Sequence, residues 1–172
     1  MFEQHGAGVT VEEIAAEAGV SRRTVFRYID AKEDLAFIHP RLWFEVFDEG
    51  LAQAGDLPLV DRLRIGSRAI ALHIDADPEP VRRAFLVAAT SPELQRGFSI
   101  FQRWVDRVAD EVLADADDSS DPEVLFRARI VGAAVMGMVD AVTRQWLFSG
   151  PDTTFVSLYD QGFELLAPLF EE

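Results

Sequence analysis

Apolar residues recur along most of the chain at intervals of three and four, the spacing that gathers side chains on one face of an α-helix. Leu94, Phe98, Phe101, Val105, Val108 and Val112 form one such series, and Phe155, Tyr159, Phe163, Leu166 and Phe170 form the last. No stretch alternates apolar and polar residues long enough to read as a strand, and no hairpin turn signal breaks the series. Helix starts are legible too, because the first N–H groups of a helix lack intrahelical acceptors and favour an oxygen-bearing cap followed by proline or an acid. Ser91-Pro92-Glu93, Asp121-Pro122-Glu123, Asp77-Pro78-Glu79 and, after Gly150-Pro151, Asp152-Thr153 carry that signature. The pattern predicts helices over 11–18, 22–28, 33–53, 59–75, 79–89, 92–114, 123–147 and 153–170, and an all-α protein.

Residues 10–29, TVEEIAAEAGVSRRTVFRYI, stand apart. Thr10 precedes an acidic first turn with Glu13 at the capping-box position. Ile14 and Ala18 share an apolar face, and Ala15 is small where a second helix must come close. Gly19 permits the left-handed backbone of a sharp reversal. Ser21 then caps a second helix whose inner face is Val25 with Ile29, leaving Arg22, Arg23 and Arg27 to project elsewhere. This is the pattern of a helix-turn-helix. Two guanidiniums in the first turn suit guanine O6 and N7 in a major groove, while Ser21, Thr24, Arg27 and Tyr28 suit phosphates.

Charge sharpens that picture. The chain carries 16 basic and 30 acidic residues, a formal net charge of −14. Three of the four basic residues before position 39 fall within seven positions, whereas Asp110 to Glu123 holds seven acids and no base. An acidic body repels phosphate, so any nucleic-acid contact is confined to one end. The absence of cysteine excludes disulfides, thiolate metal sites and cysteine nucleophiles. His5, His39 and His73 have no metal-ligand spacing, and no phosphate-binding glycine loop or nucleophile elbow occurs. The expectation is a non-enzymatic protein with no catalytic residue, no metal and no cofactor. With no membrane-length apolar run and no signal peptide at the N-terminus, a cytoplasmic location is expected.

The stretch from Phe2 to about Phe37, through FEQHG, TVEEIAAEAGVS, RRTVFRYI and KEDL, resembles the DNA-binding domain of the TetR family of transcriptional regulators. The resemblance implies Thr10 and Lys32 as backbone-phosphate contacts and Ser21, Arg22, Arg23, Thr24, Phe26, Arg27 and Tyr28 as the recognition helix. Lys32 is the one lysine in the chain. Phe26 stands where the family often has tyrosine, so it has no hydroxyl for phosphate and is left to pack or to touch a thymine methyl. The family also places a complete amphipathic helix before the helix-turn-helix, where Met1 to His5 stand here. The expectation is a chain that starts late and in this form binds DNA weakly. The motifs SPEL near Ser91 and RQWLFSG near Trp146 resemble regulators associated with mycofactocin systems, some of which respond to acyl-CoA compounds.

The remainder reads as sensor and interface. Residues 130–142, IVGAAVMGMVDAV, are apolar around most of a helix and include Gly132, Ala133, Ala134, Gly137 and Ala141, small enough for another helix to approach. With the stripe from Phe155 to Phe170 they suggest a homodimer through the last two helices, which also suits paired recognition helices on half-sites ~34 Å apart. His73, Phe85, Phe101, Trp104, Met136 and Asp140 are the candidate ligand-binding residues for a small apolar or amphipathic effector, acyl-CoA-like on the subgroup resemblance. Asp140 has an alternative partner in Arg144, one turn on. The organisation expected is a DNA-binding domain over 1–38 and a ligand-binding and dimerisation domain over 39–172. The function expected is a ligand-responsive regulator, a repressor, of a double-stranded DNA operator, in which ligand and DNA favour different spacings of the recognition helices. A helical small-molecule-binding or interaction protein with impaired DNA binding is the alternative.

Overall fold

The computed structural model describes residues 8–27, 40–90 and 98–170. Among these residues the protein is all-α: α1 (Val11–Glu17), α2 (Arg22–Phe26), α3 (Pro40–Ala54), α4 (Leu59–Ala76), α5 (Pro78–Thr90), α6 (Phe98–Ala114), α7 (Pro122–Leu147) and α8 (Phe155–Leu166), closed by a 3₁₀ turn over Ala167–Phe170. The predicted continuations over 28–39 and 91–97, with Ile29 and the SPEL motif, lie outside the described residues. Two compact units divide the chain, Met1–Pro40 with Pro78–Ile100 and Arg41–Asp77 with Phe101–Glu172.

The first unit holds α1, α2 and α5. Val11, Ala15 and Val25 form one buried cluster between α1 and α2, with Val9 buried just ahead of them. The larger second unit is built on aromatic and aliphatic packing. Trp146, Tyr159, Phe47, Phe163, Leu63, Val108 and Val135 are all but fully enclosed. Trp104 stacks on Phe44 at 4.1 Å between ring centroids and meets Phe47 edge-on at 5.5 Å, while Trp146 meets Phe155 edge-on at 5.4 Å.

Small residues set how closely these helices cross. A methyl on Gly50 of α3 would sit 2.8 Å from the Gly66 Cα of α4. A methyl on Gly132 of α7 would overlap the Val105 carbonyl of α6, and one on Gly162 of α8 would press on Met138 of α7. Polar groups then lock the arrangement. Arg62 donates to Glu111 at 3.0 Å, to Asp115 at 2.9 Å and to the Leu57 carbonyl at 2.9 Å. Arg107 donates to Asp48 at 2.7 Å and lies over the Phe47 ring. Asp75, near the end of α4, accepts the N–H groups of Phe155 and Val156 at 2.7 and 2.8 Å, so a carboxylate from another helix caps α8 alongside its own N-cap Thr154.

Candidate nucleic-acid interface

The two short helices of the first unit owe their geometry to their ends. Thr10 and Glu13 form a full capping box: the Thr10 oxygen accepts the Glu13 N–H at 3.2 Å, and the Glu13 carboxylate accepts the Thr10 N–H and hydroxyl, both at 2.8 Å. At the other end the Gly19 N–H donates to the Ala16 carbonyl and the Val20 N–H to the Ala15 carbonyl, the paired bonds of a Schellman motif. Its pivot is Gly19 at φ +65°, where a Cβ would be strained. Ser21 then caps α2, accepting the Thr24 N–H at 3.1 Å, and the two hydroxyls lie 2.9 Å apart. The chain thus reverses over the four residues Ala18 to Ser21, and Val25 packs onto Val11 and Ala15.

With Val25 facing inward, the residues around it on α2 face outward. Ser21, Arg22, Arg23, Phe26 and Arg27 are exposed and Thr24 is half-buried. Two guanidiniums and a 40 % exposed phenyl ring therefore share the solvent side of a five-residue helix, and a third guanidinium, that of Arg27, is exposed at its C-cap. Their states differ. Arg22 pairs with Glu12 of α1 at 2.8 Å and lies 5.4 Å from the Phe26 ring centroid. Thr10, which the family resemblance offers to a phosphate, has its hydroxyl proton committed to Glu13. Tyr28 and Lys32 lie outside the described residues.

Glu12 is the residue that reading the sequence missed. It stands ten positions before Arg22 with a chain reversal between them, and no helical spacing links the two. The one available signal is the acidic first turn itself, whose evident role from the sequence is capping.

The six residues expected to line an effector site are spread over four helices. His73 is exposed on α4, and Phe85 is half-buried on α5. Trp104 is 7 % exposed and fills the core of the second unit through Phe44 and Phe47. Asp140 is exposed, its carboxylate accepting from Arg144 Nε at 2.8 Å one turn on, which holds that arginine's pKa above its ordinary value through the hydrogen bond and the opposite charge. His73 and Asp140 thus face solvent while Trp104 is enclosed. Phe101 of α6 and Met136 of α7 are both half-buried, each four residues from the close crossing of Val105 and Gly132.

Residues 1–37 match the family model described as bacterial regulatory proteins, tetR family. No curated protein matches the chain. The matched segment takes in the capping box, the Gly19 reversal and the arginine-bearing helix. It ends before both SPEL and RQWLFSG and so bears on neither. No described helix is long and apolar enough to cross a membrane.

Proposed function

We propose that this protein is a transcriptional regulator that binds operator DNA as a homodimer, places α2 in the major groove and acts as an effector-released repressor. The observation that carries the DNA-binding half is the outward display of Arg22, Arg23 and Arg27 on the second helix of a closed helix-turn-helix, within the segment that matches the regulator family. Phosphate contacts by such a helix release counterions, so binding to a duplex from its own upstream region weakens steeply as salt is raised. Fluorescence anisotropy at two salt concentrations checks this. Arg23→Ala is expected to weaken binding, and a wild-type chain that ignores duplex even at low salt removes the function.

Pairing is supported by the solvent face of α7. Phe126 is 66 % exposed, Ile130 53 % and Phe148, just past the helix end, 83 %. Between them Ala133, Gly137 and Ala141 are exposed as well, with nothing within 4 Å of a methyl built on Gly137. Phe126 and Phe148 each lie eleven positions from Gly137, and Ala133 and Ala141 each lie four. Two copies crossing antiparallel there set Phe126 opposite Phe148 of the second copy, Ala133 opposite Ala141 and Gly137 opposite Gly137, so bulky ends flank a narrow waist. On α8, the other helix of the expected interface, Leu165 is 81 % exposed. The effector half is carried by Phe101 and Met136, whose half-buried side chains suit an apolar ligand. Screening apolar and acyl ligands for a rise in Tm, and then for loss of duplex binding, checks it.

A further inference from the structure

Of the outward arginines on α2, Arg22 is held in a way that Arg23 is not. Its Nη1 lies 2.8 Å from Glu12 Oε1, and its guanidinium carbon lies 5.4 Å from the centre of the Phe26 ring. It is steadied from α1 on one side and from the next turn of α2 on another. Both members of the ion pair remain open to solvent, at 63 % and 60 % of their side-chain surface. A guanidinium has five N–H donors in a planar fork, so engagement at Nη1 leaves the Nε and Nη2 edge free.

We propose that Glu12 is a specificity-determining positioning residue that reserves Arg22 for base edges and keeps it off phosphates. The assignment rests on duplex binding by α2, as argued above. A phosphate attracts the net charge of what approaches it, and a paired Arg22 and Glu12 present none, so this arginine adds little to sequence-independent binding. Guanine offers two acceptors, O6 and N7, at the spacing of a guanidinium edge, and that geometry is satisfied without breaking the pair. Holding the fork in one orientation also lowers the ordering cost of a bidentate contact, whereas a freely moving arginine gains from any nearby phosphate. Glu12 thereby suppresses binding to random sequence while leaving the guanine contact intact.

The test uses the full chain with two probes: a random-sequence duplex, and the duplex that the wild-type protein retains from a randomised pool. Glu12→Gln is compared with Glu17→Gln, which removes the same charge from the same short helix without touching Arg22. On the random duplex Glu12→Gln is expected to bind about two- to five-fold tighter, the range of an exposed ion pair. Its plot of log K against log salt steepens by about 0.9, one further phosphate contact. On the retained duplex, the penalty for replacing a contacted guanine falls. In an Arg22→Ala background the Glu12→Gln effect disappears. Equal effects of Glu12→Gln and Glu17→Gln, an unchanged salt slope, or an effect that persists without Arg22 overturns the role of Glu12 and leaves duplex binding standing. Failure of the wild type to retain any duplex overturns both.

Discussion

Tyr159 is 1 % exposed, and its hydroxyl closes no well-formed hydrogen bond, although Ser67 faces it. Burial pushes the phenol well above the ordinary tyrosine value of 10.0, with Ser67 opposing the shift. Below that ordinary value the group is protonated in folded and unfolded chains alike and adds no pH dependence. Above it the unfolded chain gives up the proton while the folded one keeps it, so stability falls as pH rises. Tyr159→Phe is expected to be neutral or stabilising by up to about 1 kcal/mol at neutral pH, because no satisfied bond is lost. It is also expected to lose less stability on alkalinisation than wild type does. Urea unfolding at neutral pH and again above the tyrosine range measures both. Asp75 is the opposite case, a carboxylate that accepts two backbone N–H groups. Asp75→Ala orphans both and is expected to cost about 1–2 kcal/mol, with Asp75→Asn, which keeps one acceptor oxygen, falling between. The same urea titration separates the three.

At the scale of elements, identical residues carry opposite meanings along α7. Gly132 is buried against the Val105 carbonyl, and Gly137, five positions on, is open to solvent. Gly132→Ala gains about 1 kcal/mol of helix propensity but forces α6 and α7 apart, and overpacking of this kind costs about 1–3 kcal/mol. It is expected to lower Tm. Repacking of a flexible neighbour cannot absorb the clash, since the obstructing atom belongs to the backbone. The helix-turn-helix behaves likewise as an element whose parts are local: its capping box and Schellman reversal bond residues no more than five apart.

For the whole molecule the decisive variant is Gly137→Glu. Within one subunit the position is open, so the substitution leaves folding intact or improves α7 by about 0.5–1 kcal/mol. Across the proposed two-fold axis it sets two carboxylates against each other at the narrowest point of the contact. Sedimentation equilibrium is expected to show a dimer for wild type and a monomer for Gly137→Glu, with circular dichroism unchanged. Duplex affinity falls with it, since a single α2 reads only a half-site. A variant that stays dimeric places the interface elsewhere.

The all-α class, the helix starts at Thr10, Ser21 and Asp121 and the turn at Gly19 were determined by the sequence, because each depends on residues within a few positions of one another. The arginine cluster of α2 was legible for the same reason. What only the tertiary structure decided are relations between residues far apart in the chain. Trp104, with the composition of a ligand wall, is enclosed by Phe44 and Phe47. Asp75 serves a helix 80 residues away. Residues 78–100 group with the N-terminal segment rather than with the helices that flank them. Gly132 and Gly137 look alike in a list of small residues, and their roles separate once α6 occupies one side of α7. Periodicity reports which face of a helix is apolar, but what comes to cover that face is set by packing, and packing has no local signature.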